Sequence, residues 1–248
     1  MSTFPSRRVS VWSGPRNVST ALMYSFSHRA DTVAVDEPFY GYYLSVSDAV
    51  HPGADEIIAS MECDRDRVIS NLTEGSFPAN IVFFKNMPHH LVDVPWDFMI
   101  KLTNVMLIRD PVEMLPSLAQ VLETPIQRDT GYKKQMELHQ HLLSQGHTVP
   151  VLDSREILLD PAGVLEQLCQ QIDIPFDKAM LQWPSGPKPE DGVWAKFWYH
   201  SLHKSTGFQP YRPKTAPFPD KLNALLDECQ PYYDYLYQHA IKASVPSQ

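Results

Sequence analysis

Five short apolar runs separated by helical stretches constrain this chain more than any other feature. Residues 8–12, 32–35, 81–84, 104–108 and 148–152 are rich in β-branched and aromatic side chains and nearly continuous in hydrophobicity. Strands with one covered face alternate, whereas strands covered on both faces read as near-continuous apolar runs. Helices are predicted over 18–28, 110–122 and 160–171, after the first, fourth and fifth runs. The last of them carries Val164, Leu165, Leu168 and Cys169 on one stripe. Such alternation predicts an α/β fold with right-handed crossovers, a central, mostly parallel sheet of about five strands flanked by helices. The tail differs: 183–208 is dense in Trp, Pro and Gly, and 219–240 reads as a terminal helix with many tyrosines.

At 248 residues the expectation is one domain, 1–248, with an aromatic-rich extension from about 183 packing on it. The 29 acidic and 21 basic residues leave a net charge of −8. That balance gives no general attraction for nucleic acid, although a local basic pocket still suits a small anion. Three scattered cysteines, Cys63, Cys169 and Cys229, form no CxxC pair, which disfavours a disulfide framework or zinc ribbon and suits a reducing cytoplasm. Residues 1–8 lack the apolar core of a secretory signal, and no apolar run approaches the roughly 20 residues of a membrane span. The expectation is a soluble, cytoplasmic protein. With 22 prolines against 10 glycines, helices should start and stop sharply.

In parallel sheets ligands bind beyond the carboxyl ends of the strands. After the first run comes Ser13-Gly14-Pro15-Arg16-Asn17-Val18-Ser19-Thr20. A strand, a Gly-containing turn and a hydroxyl-rich helix start form a cradle for phosphate or sulfate, because free backbone N–H groups and the helix dipole both favour negative charge. The lysine of a Walker-type phosphate loop is absent. The alternative is an ordinary helix capped by Ser19 or Thr20. After the fourth run stands Arg109, followed by Asp110-Pro111, with Ser117 about two helical turns on. Its alternative is a rim arginine paired with Asp110 or Glu113.

Together these segments resemble the sulfotransferase superfamily, which uses 3'-phosphoadenosine 5'-phosphosulfate as donor. Pro15-Arg16-Asn17-Val18-Ser19-Thr20 is similar to its 5'-phosphosulfate loop, and Arg109 with Ser117 to its 3'-phosphate clamp. Val151-Leu152-Asp153-Ser154-Arg155-Glu156-Ile157-Leu158, Asp160-Pro161 and Ile174-Pro175 resemble its later strand, "DP" helix and "IP" segment, so the likeness spans roughly 8–176. It implies a three-layer P-loop-NTPase-like fold, transfer of a sulfuryl group to a hydroxyl or amine of a small-molecule acceptor, and no metal. Two departures stand out. Asn17-Val18 occupies a place where many relatives have Ser-Gly, and Met87 stands two residues after Lys85, where many have a catalytic histidine.

A sulfuryl transfer to an alcohol needs a base, cations on the leaving oxygen and in-line alignment. Glu37, before Pro38 and Phe39, is the first candidate base; some relatives have a glutamate before proline that serves the acceptor. The alternative is that Asp36 or Glu37 caps the next helix. His89 is the second candidate, with His90 read as a packing residue. Lys85 is read as bridging donor and acceptor, or as an exposed strand-end lysine. In the tail, Lys204, Ser205, Thr206 and Gly207 are expected to fill the family's late basic loop over the 3'-phosphate, and Trp198 or Phe208 to stack on the base or wall the acceptor. Other outcomes remain open: a magnesium-dependent phosphotransferase, or a nucleotide-binding regulatory protein without catalysis. The oligomeric state is open too, a homodimer among the options.

Overall fold

The computed structural model describes residues 7–244, so the segment 1–8, expected to carry no secretory signal, lies largely outside the described residues. Five strands form one sheet: β1 (Arg7–Ser13), β2 (Thr32–Asp36), β3 (Ile81–Asn86), β4 (Thr103–Ile108) and β5 (Val151–Asp153). Their order is β2-β3-β1-β4-β5, and every pairing is parallel. Each strand matches a predicted run. The fifth starts late because Pro150, lacking an N–H, contributes only its carbonyl, to Met106.

The helices are α1 (Ser19–Ser27), α2 (Tyr40–Val46), α3 (Ala54–Ser60), α4 (Arg65–Glu74), α5 (Pro111–Leu118), α6 (Gln127–Thr130), α7 (Tyr132–Ser144), α8 (Ser154–Leu159), α9 (Pro161–Gln171), α10 (Ala195–Trp198) and α11 (Asn223–Gln238). Pleating sends Val9, Val11, Ile81, Phe83, Val105 and Leu107 to one face, where α1 and α9 cover them. Trp12, Val82, Phe84, Met106 and Ile108 go to the other, beneath α5, α7 and α11. Both faces are dry, which is why the strands show so little alternation. The predicted 110–122 helix ends at Leu118, with Pro116 inside it. The 13-residue α7 escapes a periodicity reading because its buried stripe includes Gln135 and His139. No helix among the described residues is long and apolar enough to cross a membrane.

Candidate active site

Strand order distributes the functional side chains. β1 is central, so the 14–18 turn at its carboxyl end is flanked by the tip of β3 on one side and of β4 on the other. Adjacent strands lie about 4.8 Å apart, so β2 and β4 tips are separated by roughly 15 Å.

The turn is built tightly. A Cβ on Gly14 would lie 2.5 Å from the Thr130 carbonyl oxygen, so glycine is required for α6 to approach. Arg16 adopts a left-handed backbone (φ 54°), a conformation costing a non-glycine residue about 1–2 kcal/mol. Asn17 steadies the entry to α1: its Nδ2 donates to the Leu107 carbonyl at 3.1 Å and its Oδ1 accepts from the Val18 N–H at 2.8 Å. Val18 occupies the cap position of α1 without any side-chain cap. The capping alternative for Ser19 and Thr20 is therefore not what the chain adopts. Their hydroxyls have no hydrogen bond among the described residues, and the first N–H groups of α1 stay available to an anion.

On the β4 side Arg16 and Arg109 meet. Arg109 Nη1 donates to the Arg16 carbonyl at 2.7 Å, and Arg16 Nε donates to Ser117 Oγ at 3.0 Å. The three residues proposed from spacing thus converge at one place. Arg109 also lies 3.4 Å from Glu113, one turn on along α5. Two residues missed by sequence reasoning join them. Tyr211 donates to Glu113 Oε1 at 2.6 Å, and Lys214 Nζ donates to the Glu113 carbonyl at 2.7 Å. The Lys214 ammonium is lowered by burial and then by repulsion from Arg109 and Arg16, partly offset by Glu113. Arg155, at the start of α8, stacks its guanidinium 5.6 Å from the Tyr211 ring.

On the β2/β3 side lies a buried ion cage. Lys85 is only 2% exposed, not the open strand-end lysine of the alternative. Its ammonium donates to Asp36 Oδ1 at 2.7 Å, Glu37 Oε1 at 2.6 Å and the Tyr199 hydroxyl at 2.7 Å, using all three protons. Tyr199 in turn donates to Asp36 Oδ2 at 2.6 Å. Burial and the two carboxylates act on Lys85 in opposite directions, and the carboxylates win: its pKa is raised well above the ordinary value. Glu37 caps no helix, since Phe39 stands at the cap of α2 without a side-chain bond. It too has a left-handed backbone (φ 44°), and burial raises its carboxyl while Lys85 pulls the other way.

The histidines sort differently from expectation. His90, read as a packing residue, places Nε2 4.0 Å from Glu37 Oε2 while its ring stacks on Tyr40 and Tyr43. His89 contacts Tyr43 and His90 edge-on. Burial holds His89 down to about 4 and lowers His90 well below the usual range. Nδ1 of each is buried without a partner among the described residues. Adjacent residues on a 3₁₀ turn point about 120° apart, and nothing in the residue order says which of the two faces the carboxylate.

The tail corrects two expectations. The 204–207 stretch packs on Trp183: Trp183 Nε1 donates to Ser205 Oγ, the Trp183 N–H to the Thr206 carbonyl, and Gly207 bridges Gln182. Ser205, Thr206 and Gly207 are thus engaged with Trp183 and Gln182, and none of 204–207 is bonded to Arg16 or Arg109 among the described residues; the later residues Tyr211 and Lys214 reach Glu113 beside Arg109. Phe208 packs edge-on against Trp183 and so belongs to the core. Trp198 stays over a third exposed, while the Tyr40 hydroxyl pairs with His51 Nδ1 at 2.6 Å within the histidine cluster.

The turn with its free helix start thus lies between a cation cluster and a buried carboxylate. The chain belongs to the sulfotransferase domain family, whose sequence pattern matches residues 7–240. Branched-chain-amino-acid aminotransferase-like protein 2 of Arabidopsis thaliana is 35% identical over 232 residues, covering 93% of this chain and 41% of its own length. Its paralogue, protein 1, is 36% identical, with coverages of 94% and 42%. The chain thus spans less than half the length of these curated relatives. Among solved structures, the sulfotransferase from Alicyclobacillus acidocaldarius superposes with a TM-score of 0.57 at 10% identity, covering 96% of this chain and 98% of its own. The sulfotransferase domain from the curacin biosynthetic pathway gives 0.54 at 15%, covering 92% and 99%. At such identities these two establish the shared fold.

Proposed function

We propose that the protein transfers a sulfuryl group from 3'-phosphoadenosine 5'-phosphosulfate to a hydroxyl or amine of a small molecule, as a single-domain cytoplasmic enzyme. The observation that carries this reading is the meeting of Arg16, Arg109, Ser117 and Lys214 beside the uncapped start of α1. Three cations close enough to repel one another suit a multiply charged anion, which relieves that repulsion on binding. The unengaged Ser19 and Thr20 hydroxyls and the α1 N–H groups suit the phosphosulfate end; Arg109 and Ser117 suit the 3'-phosphate.

Glu37 is assigned the base. It takes the acceptor proton, the acceptor oxygen or nitrogen bonds to sulfur, and the bond from sulfur to the phosphate oxygen breaks. The electron pair stays on that phosphate, where Arg16 and the helix start stabilise it. Lys85 holds Glu37 in place and opposes the burial that raises its carboxyl, and its protons are all engaged within the cage. His90 lies on the opposite side of Glu37, neutral at pH 7 and able to hydrogen-bond the same acceptor. Glu37→Gln should lower kcat about 10²–10⁴-fold, the usual worth of a positioned base, with donor affinity kept. Titration with adenosine 3',5'-bisphosphate against ATP and magnesium tests the donor class. Tighter binding of the bisphosphate is expected, and a preference for magnesium-ATP would replace this assignment with a phosphotransferase.

A further inference from the structure

Residues 209–218 form no helix or strand, yet they run from one face of the sheet to the other across its carboxyl edge. Phe208 anchors this strap to Trp183 in the core under α1 and α9. Phe218 anchors the other end against the core under α5, α7 and α11. Three prolines, Pro210, Pro213 and Pro217, stiffen it and remove backbone donors. In between, the strap is tied to the body at Glu113. The Tyr211 hydroxyl reaches its carboxylate at 2.6 Å, and Lys214 reaches its carbonyl at 2.7 Å. The other carboxylate oxygen faces Arg109 at 3.4 Å, and the side chain is only 14% exposed.

We infer that Glu113 is a positioning residue of the donor site: by holding Tyr211 and Arg109 together it seats the strap so that Lys214 completes the cation cluster. This rests on the donor reading above. An acidic side chain among cations is otherwise a poor feature for an anion site, since it cancels charge the ligand needs. Its geometry accounts for it. One oxygen orients a guanidinium that would otherwise swing, and the other takes a short bond from a hydroxyl borne by the strap. Lys214 then arrives among like charges, where a free strap would not stay. The chemistry so assembled recognises the second phosphate of a nucleoside bisphosphate.

The test compares adenosine 3',5'-bisphosphate with adenosine 5'-monophosphate by calorimetry on wild type, Glu113→Ala, Glu113→Gln and Tyr211→Phe. Glu113→Ala should weaken the bisphosphate about tenfold, the worth of a charge-assisted hydrogen bond, and the monophosphate less than about twofold. Tyr211→Phe should reproduce most of that loss. Glu113→Gln should recover part of it, since its amide oxygen still accepts from Tyr211. In turnover the loss should fall on the donor KM rather than kcat. Equal weakening of both nucleotides would reduce Glu113 to a general structural role and overturn the inference, as would unchanged or tighter bisphosphate binding. If wild type itself fails to prefer the bisphosphate, the donor reading falls first and takes this inference with it. A wild-type preference with unresponsive variants sinks this inference alone.

Discussion

The two flanks of the Gly14–Thr20 turn solve opposite electrostatic problems. On the β2/β3 flank, Lys85, Asp36, Glu37 and Tyr199 are withdrawn from water, and each ammonium proton has an acceptor within 2.7 Å. Burying charge is costly unless such pairing is complete, so this flank is closed upon itself. On the β4/β5 flank, Arg16, Arg109, Arg155 and Lys214 crowd around Glu113 and Asp110, leaving positive charge over in a chain of net −8. Arg109 keeps 23% of its side chain in solvent. One flank is therefore neutralised by its own pairing, and the other carries uncompensated positive charge, the contrast on which the proposed base and donor sites rest.

If that contrast is right, removing a charge should cost stability on one side and affinity on the other. The largest effect is expected from Lys85→Met. It strands two carboxylates in a dry cage, and breaking a buried pair in this way costs about 3–5 kcal/mol of folding stability. Urea denaturation at pH 7 measures it. A loss below about 1 kcal/mol, the level of an exposed pair, would mean that water reaches the cage and that the flanks do not differ as described.

Arg109→Ala comes next and should leave its mark elsewhere. Bisphosphate binding should weaken by about 1.5–3 kcal/mol, the range for a hydrogen bond to a charged group, while the urea midpoint moves little. Losing a cation from a self-repelling cluster removes repulsion as well as a contact, so folding is not penalised. A large stability loss with unchanged affinity would reverse the assignments of the two flanks.

The two sides were unequally legible. The β4 side could be read from sequence because strand tips and helical spacing fix it. Arg109 follows an apolar run, Ser117 lies two turns along the next helix, and Arg16 sits in the turn after β1, so topology alone draws them together. The cage could not be read that way. Tyr199 lies 114 residues from Lys85, and only the packing of the aromatic extension brings them into contact. The left-handed backbones of Arg16 and Glu37 were hidden too, since neither position carries the glycine or asparagine that signals this region. The strap was misplaced for a related reason. Lys204-Ser205-Thr206-Gly207 has a binding loop's composition, but Trp183 claims it, and the cation that reaches the site is carried further along between prolines.

The smallest effect concerns protons. His51, His89 and His90 cluster around Tyr40 and Tyr43 beside the cage, His89 and His90 in contact with each other, and burial lowers all three, His89 to about 4. A histidine whose folded pKa lies below its unfolded value of about 6.5 binds fewer protons folded than unfolded in the interval between them. Its stabilising contribution is complete above about pH 6.5 and is lost as the pH falls toward about 4. Each such group adds a slope of up to about 1.4 kcal/mol per pH unit. His89→Asn should therefore flatten the stability profile between about pH 6 and pH 4.5 by about that slope, as measured by urea titrations across the range. His139 on α7, also held near 4, supplies a background that both proteins share. An unflattened profile would mean that His89 is hydrated and charges freely, and the dry flank would then end at Lys85 rather than extend through the imidazoles.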